Sequence, residues 1–534
     1  MSAVEHVGFR NQMRARWEAL PERQRLVITL VVEVLVSVLF WFVNAGLGYA
    51  VALIFTALWL RKMRPLPWRL VVELIVAAIF LIGWLAGSTP GGVPLVIIVA
   101  FAFTWIPAGS RRWAIPLGCV LVALVYPFVA ARLFEIPVFG PFPDVASGTG
   151  TYMMVFMMMA VGLNIVVGYA GLLDLGYVAF YAIGAYVMGW FASGQFQGEK
   201  CSNPHFSIDN CPAQLVPKLN ISFGGVGLPV GTGGIHLSIF LVLLIAGAVT
   251  ALFGILIGLP TLRLRGDYLA IVTLGFGEIL PQIARNGDNI AGWNLTNGAL
   301  GINPIDQPGF GNHLSNITGG FLPASFQTCC NAKIFEHQIS TADLFYWFAI
   351  LLLIITVFVS LRLRDSRLGR AWIAIREDET AAAAMGIPLM RTKTWAYAGG
   401  AFFGGVAGAY YASAKDSVTS DDFFFNISVF ILCMVILGGM GNVWGVLAGA
   451  AFLAFLNKEG LADIGAWINA HIHVFGYRPN IDVPLYETGI YGVIIVVVML
   501  WRPEGLLPSR RRARELHESE TQDTPLYDLQ HEGA

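Results

Sequence analysis

The chain has 534 residues, 56% of them hydrophobic and 13% charged, with a mean hydropathy of +0.67. Soluble domains carry about a quarter charged residues, so a soluble globular fold is excluded. The formal net charge of -1 supplies no basic field, and no nucleic-acid partner is expected.

The apolar residues fall in runs that match the roughly 20 helical residues needed to cross a hydrocarbon layer of about 30 Å. In chain order, spans are expected at 26–43, 45–60, 68–87, 93–108, 112–131, 151–169, 171–191, 238–260, 268–284, 343–361, 394–413, 425–440, 442–457 and 485–501. The expected fold is therefore an all-α polytopic membrane protein of about 14 transmembrane helices. Residues 1–140, with five spans, read as an N-terminal extension that ends in the Pro-rich connection EIPVFGPFPD (135–144). Residues 150–505 read as a separate core that includes the charged segment 362–393, and 506–534 as a polar cytoplasmic tail.

An even number of spans places both termini on one side. With that side cytoplasmic, 25 of the 33 basic residues fall inside, including seven in the segment 362–393. This is the excess that the positive-inside rule requires. The first apolar run is long and lacks a small-x-small cleavage site, so it is expected to remain as a permanent span rather than a signal peptide.

Two long outer loops, 192–237 and 285–342, hold Cys201, Cys211, Cys329 and Cys330. In an oxidising periplasm these can form disulfides, with three connectivities possible. Cys119 and Cys433 lie inside spans and read as ordinary core residues.

Three stretches carry chemistry. In GLNIVVGYAGLLDLGYVAFYAIGAY (162–186), Gly162, Gly168, Gly171, Gly176 and Gly184 punctuate a segment at membrane depth. Glycine permits either close helix packing or an unwound chain, and unwound backbone at that depth is tolerated only against protein or a wet pathway. Asp174 adds an ionisable group, which is costly in a span and less so at a cytoplasmic mouth between spans. In LRLRGDYLAIVTLGFGEI (262–279), a basic turn precedes Glu278, a carboxylate deep in a span that needs a partner, water or a proton. Glu278 can line a pathway or bond a backbone amide of a neighbouring helix. In DSRLGRAWIAIREDETAAAAMGIPLMRTKT (365–394), Leu368, Trp372, Ile375 and the run Ala381–Met385 fall near helical spacing, and Gly386 and Pro388 supply stop signals. This predicts a short amphipathic helix at the membrane surface between two spans.

From about residue 150 to 508 the chain resembles the LivM-type branched-chain amino acid permeases. Those three stretches, with VILGGMGNVWG (435–445) and WRPEGLLP (501–508), recur in that family in the same order and register. The resemblance implies a membrane subunit of a bacterial inner-membrane ABC importer. Its implied partners are a second, LivH-like permease, two ABC ATPase subunits and a periplasmic substrate-binding protein. In the family a cytoplasmic helix docks into the ATPase cleft, and by match that role falls to Leu368, Gly369, Arg370, Trp372, Arg376, Glu377, Asp378, Glu379 and Gly386. One departure stands out. The general coupling motif of importers has Glu-Ala-Ala and a Gly six residues after the Glu, whereas Glu379, Thr380 and Ala381 here precede a Gly seven residues on.

No G-x-x-x-x-G-K-[ST] phosphate cradle occurs, so ATP hydrolysis is expected from partners and the chain is not expected to be an enzyme. All nine histidines lie outside the confident span interiors, which removes a histidine proton relay. His471 and His473 form a pair in an expected outer loop with no carboxylate or Cys neighbour, and no metal or other cofactor is expected. The expected mechanism is delivery of leucine, isoleucine or valine by the binding protein, with ATP-driven switching of the permease pair. Tyr177, Phe180, Tyr181, Thr273 and Glu278 are candidates for lining the pathway, and Gly171, Asp174 and Gly176 for shaping it. Two rivals are a permease of the same family for urea or short amides, and an ion-coupled secondary transporter using Asp174 and Glu278.

Overall fold

The structure is a computed structural model that describes residues 145–196, 220–223, 234–262, 267–290, 294–309, 340–471 and 482–501, with the short pieces 333–334 and 337–338 and the single positions 120, 124, 326 and 505. The chain divides into two units, Met1–Ala146 and Ser147–Ala534. The five expected spans before residue 140, Cys119, the four loop cysteines and the tail 506–534 lie outside the described residues.

The described part is mostly helical. Helix α1 (Val145–Leu163) runs into a π turn, Asn164–Tyr169, and after a non-helical break at 171–176 the chain resumes as α2 (Tyr177–Phe191). Three short strands follow: β1 (Ala192–Ser193), β2 (Asn220–Phe223) and β3 (Gly234–Leu237), with β3 in the middle, antiparallel to β1 and parallel to β2. Then come α3 (Ile239–Thr261), α4 (Asp267–Arg285) and a two-stranded hairpin of β4 (Lys333–Ile334) and β5 (His337–Gln338). Helix α5 (Thr341–Asp365) starts at a capping box in which Ser340 Oγ accepts from the Asp343 amide (3.2 Å) and Asp343 Oδ2 accepts from the Ser340 amide (2.9 Å).

The surface helix expected over 365–386 is two helices, α6 (Arg367–Glu377) and α7 (Glu379–Ala384), split at Asp378. The reason is capping. Asp378 takes an extended conformation and its carboxylate accepts from the Thr380 and Ala381 amides at 2.8 and 3.0 Å, which ends one helix and starts the next. Helix α8 (Leu389–Lys415) then leads to α9 (Phe425–Gly438), α10 (Val443–Phe455) and α12 (Glu487–Trp501). Between the last two, α10 continues through a π turn (Leu456–Gly460) into α11 (Leu461–His471), so His471 ends a helix instead of lying in a loop. Four of the described helical segments are long and apolar enough to cross a membrane: 148–169, 239–261, 341–365 and 420–438.

Helix α8 is the core, packed against α2 and α3. It carries Gly399, Gly400, Gly404, Gly405 and Gly408, each costing about 1 kcal/mol of helix propensity relative to alanine. Close packing offsets that cost. Gly408 leaves no room for a Cβ against the Tyr181 carbonyl oxygen, and Gly184 of α2 meets the Gly405 backbone in the same way. Outward residues of α3 and α5, such as Leu244, Leu252, Leu256 and Phe358, are exposed on the chain, as helices solvated by lipid require. Cys433 is buried in α9.

Candidate functional site

The break at 171–176 leaves backbone groups unpaired inside a helical layer, and the surrounding helices supply partners one at a time. Asp174 Oδ1 accepts from the Gly176 amide at 2.9 Å. The Leu175 amide donates to Thr273 Oγ1 of α4 (3.1 Å), and the Val178 amide to Ser428 Oγ of α9 (2.9 Å). Tyr177 donates through its hydroxyl to the Gly400 carbonyl of α8 (2.9 Å). Asp174 is 1% exposed, and its carboxylate sits at the start of α2, where the helix dipole favours negative charge. Its Oδ2 has no hydrogen-bond partner at ordinary geometry, and neither has the Tyr397 hydroxyl of α8, although each is a polar neighbour of the other.

The π turn just before the break widens the helix and frees the Gly168 carbonyl. Arg376, from the last turn of α6, donates through Nη1 to that oxygen. Gly171 lies under the stem of the same side chain at φ +70°, where a Cβ would be strained and would come within 2.8 Å of Arg376 Cγ. Asn164, fully buried in the π turn, accepts through Oδ1 from the Gly441 amide at 2.9 Å. A Cβ on Gly441, itself at φ +87°, would lie 3.1 Å from Arg376 Nη1.

The same junction reaches the remaining two motifs. Gly176 sits against the Thr273 carbonyl with no room for a side chain, and a Cβ on Gly505 would come within 2.6 Å of the Gly439 Cα. Segments separated by up to 277 residues in the chain thus meet around one broken helix. A family model for the branched-chain amino acid transport system permease component matches residues 145–499. The chain belongs to this permease family.

The high-affinity branched-chain amino acid transport system permease protein LivM of Salmonella typhimurium LT2 is 34% identical over 399 residues, 74% of this chain and 75% of that protein. LivM of Escherichia coli K12 is 32% identical over 484 residues, 89% and 94% of the two chains. A probable LivM of Methanocaldococcus jannaschii is 23% identical over 360 residues, 66% and 91%. No solved structure matches.

In this permease the candidate residues separate into three groups. Asp174, Gly176, Tyr177, Phe180, Tyr181 and Thr273 are buried inside the chain. The aromatic ones pack on the core: Phe180 edge-on to Tyr397, and Tyr181 against Tyr411 and Phe423. Gly171 is exposed beside Arg376, and Glu278 is exposed on α4.

The third group forms an arm. Trp372, Gly369 and Ile375 face inward; Trp372 Nε1 donates to the Thr392 carbonyl at 2.8 Å, and Ser366 Oγ caps α6 by accepting from the Gly369 amide at 3.1 Å. Glu379 pairs with Lys393 at 2.7 Å, and the lysine is buried, so this carboxylate ties α7 to α8. Leu368, Arg370, Glu377, Asp378 and Gly386 face outward with Met385, which is 84% exposed. The Asp378 carboxyl is held below the usual carboxylate range by the Thr380 hydroxyl and the Ala381 and Thr380 amides.

Asn164, Tyr397, Ser428 and Lys393 were not singled out by the sequence. Only Asn164 and Lys393 carry a signal, as polar groups in or next to apolar runs. Nothing in a single sequence pairs them with partners elsewhere in the chain.

Proposed function

We propose that this chain is one permease subunit of an ABC importer that moves leucine, isoleucine and valine into the cytoplasm. It works with a second, LivH-like permease, two ATPase subunits and a periplasmic binding protein, in the bacterial inner membrane. Both termini and the arm face the cytoplasm, an orientation supported by the 25 basic residues on that side.

The observation that carries this reading is the arm itself. A short polar helix pair with its inner face anchored to α8 presents an exposed apolar tip, Met385 with Ala383 and Ala384, and the same pair exposes Arg370, Glu377 and Asp378. A thioether so exposed on a cytoplasmic surface fits an irregular apolar socket in another protein. Where its two helices join, the arm grips the broken helix through Arg376. A nucleotide cycle that binds one arm position better than another then biases the break, which is all that coupling requires.

The test is co-purification from detergent. Met385→Asp is expected to remove the ATPase subunits from the permease and to abolish ATP-dependent leucine uptake, with competition by isoleucine and valine but not by urea in the wild type. Retained assembly with normal uptake in the variant would remove the arm from the coupling role, and competition by urea would reassign the substrate.

A further inference from the structure

Helix α4 has two unlike faces. One, through Thr273 and Gly277, is buried against the break at Leu175 and Gly176. The other is open and carries two parallel stripes. Glu278, Gln282 and Asn286 follow one another at four-residue spacing, and Ile279 and Ile283 run beside them at the same spacing, continued by Ile290. Together these six residues line a cleft of about 500 Å³.

The depth of the cleft is informative. Glu278 stands eleven residues beyond Asp267, the first residue of α4, or about 16 Å along the axis at 1.5 Å per residue. A carboxylate within the span expected at 268–284 faces protein or a polar solute rather than lipid. Among the described residues, no cation pairs with Glu278, and the Gln282 side-chain amide makes no hydrogen bond. The Asn286 amide donates to the Gln282 carbonyl at 2.9 Å, which leaves its side-chain oxygen open.

We propose that this cleft is the transient binding site for the transported amino acid, an inference that rests on the importer reading above and names the residues that read the solute. Glu278 takes the α-ammonium and the Gln282 amide N–H groups take the α-carboxylate, one helical turn away. Ile279, Ile283 and Ile290 receive the branched aliphatic side chain. The polar stripe matches a zwitterionic head and the apolar stripe matches an aliphatic tail, which is the chemistry of leucine, isoleucine and valine and not of a small polar amide. The buried side of the same helix touches the break held by Arg376, so a shift of the arm reaches the cleft through α4 alone.

The experiment uses the complete importer in proteoliposomes, with the binding protein saturated in turn with labelled leucine and valine. Three readouts are followed: uptake, binding-protein-stimulated ATP hydrolysis and subunit co-purification. Glu278→Gln is expected to lower uptake of both at least tenfold while stimulated hydrolysis stays within about twofold of wild type and all subunits co-purify; Glu278→Asp restores most of the uptake. Ile283→Phe is expected to reduce leucine uptake at least threefold more than valine uptake, a ratio that a merely structural role would not move. Uptake by Glu278→Gln within twofold of wild type, or an unchanged leucine to valine ratio in Ile283→Phe, overturns the proposal. So does loss of the second permease from Glu278→Gln, which would make the carboxylate an assembly contact. Wild-type proteoliposomes that take up neither amino acid would instead sink the importer reading, and this site with it.

Discussion

The two ends of the helical core are held together by different means. At the arm end, the helices meet through single bonds between side chain and backbone: Arg376 to Gly168 and Asn164 to Gly441 at the π turn, and Leu175 to Thr273 at the non-helical break that follows it. At the opposite end, β-bridges pair Ser193 with Ile305 and Ile302 with Val418, and His236 Nδ1 meets Asp306 Oδ2 at 2.7 Å with both side chains 8% exposed. There Ser413 Oγ also donates to the Asp306 carbonyl, and Asp416 accepts from the Ile305 amide. Bonds made one at a time can be exchanged one at a time, whereas bridged backbone and a buried pair give way together. The contacts at the arm end can therefore change singly, whereas those at the opposite end resist a change in any one of them.

The largest effect that tests this contrast is expected at the opposite end. His236→Ala removes one partner of a buried pair and should cost about 3 kcal/mol, read as a lower Tm of the detergent-solubilised permease. A loss smaller than that of the arm-end variants would break the comparison. Arg376→Ala leaves the Gly168 carbonyl without its partner at a partly exposed site, so about 1–2 kcal/mol is expected. Its larger consequence should be functional: ATP hydrolysis continues while leucine uptake falls at least tenfold, because the arm no longer grips the break. Asp174→Ala removes the acceptor of the Gly176 amide at the break and should cost about 1 kcal/mol, whereas Asp174→Asn, which keeps an acceptor oxygen, should retain most of the stability by the same thermal measurement.

The smallest effect belongs to Asp378. Its carboxyl is depressed by hydrogen bonds to its charged form, so the cap is fully present above the ordinary carboxylate value of about 4 and is lost only as pH falls through the lowered one. The difference between wild type and Asp378→Ala in ATPase binding should be small and constant from pH 8 to pH 5. A difference that changed across that window would show that some other group sets the geometry of the tip.

How far the sequence could be read depended on whether a feature was local. All nine spans expected between 151 and 501 fall on helices, because apolar runs of that length are a strong local signal. The break after Gly171 was legible from its glycines and Asp174, although the helix was expected to start at 171 and starts at 177. The split of the arm at Asp378 escaped, since apolar periodicity counts buried positions and does not register a cap that interrupts them. Likewise, the span expected at 442–457 does not stop there: the structure carries LNKEG (456–460) as a π turn inside a longer helix. Tyr177, Phe180 and Tyr181 were read as pathway candidates from their place beside the break. Their burial depends on the glycine face of α8, more than 200 residues away, and no local pattern announces that pairing.

Helix α8 has a consequence of its own. It extends 27 residues, about 40 Å, without a proline, and its first turns hold Thr392 and Lys393 against the arm while Ser413 near its end holds the Asp306 clasp. A stiff rod fastened at both tips cannot be pushed at one without thrust arriving at the other. The two ends of the core linked in this way would move in fixed phase, with no messenger needed between them.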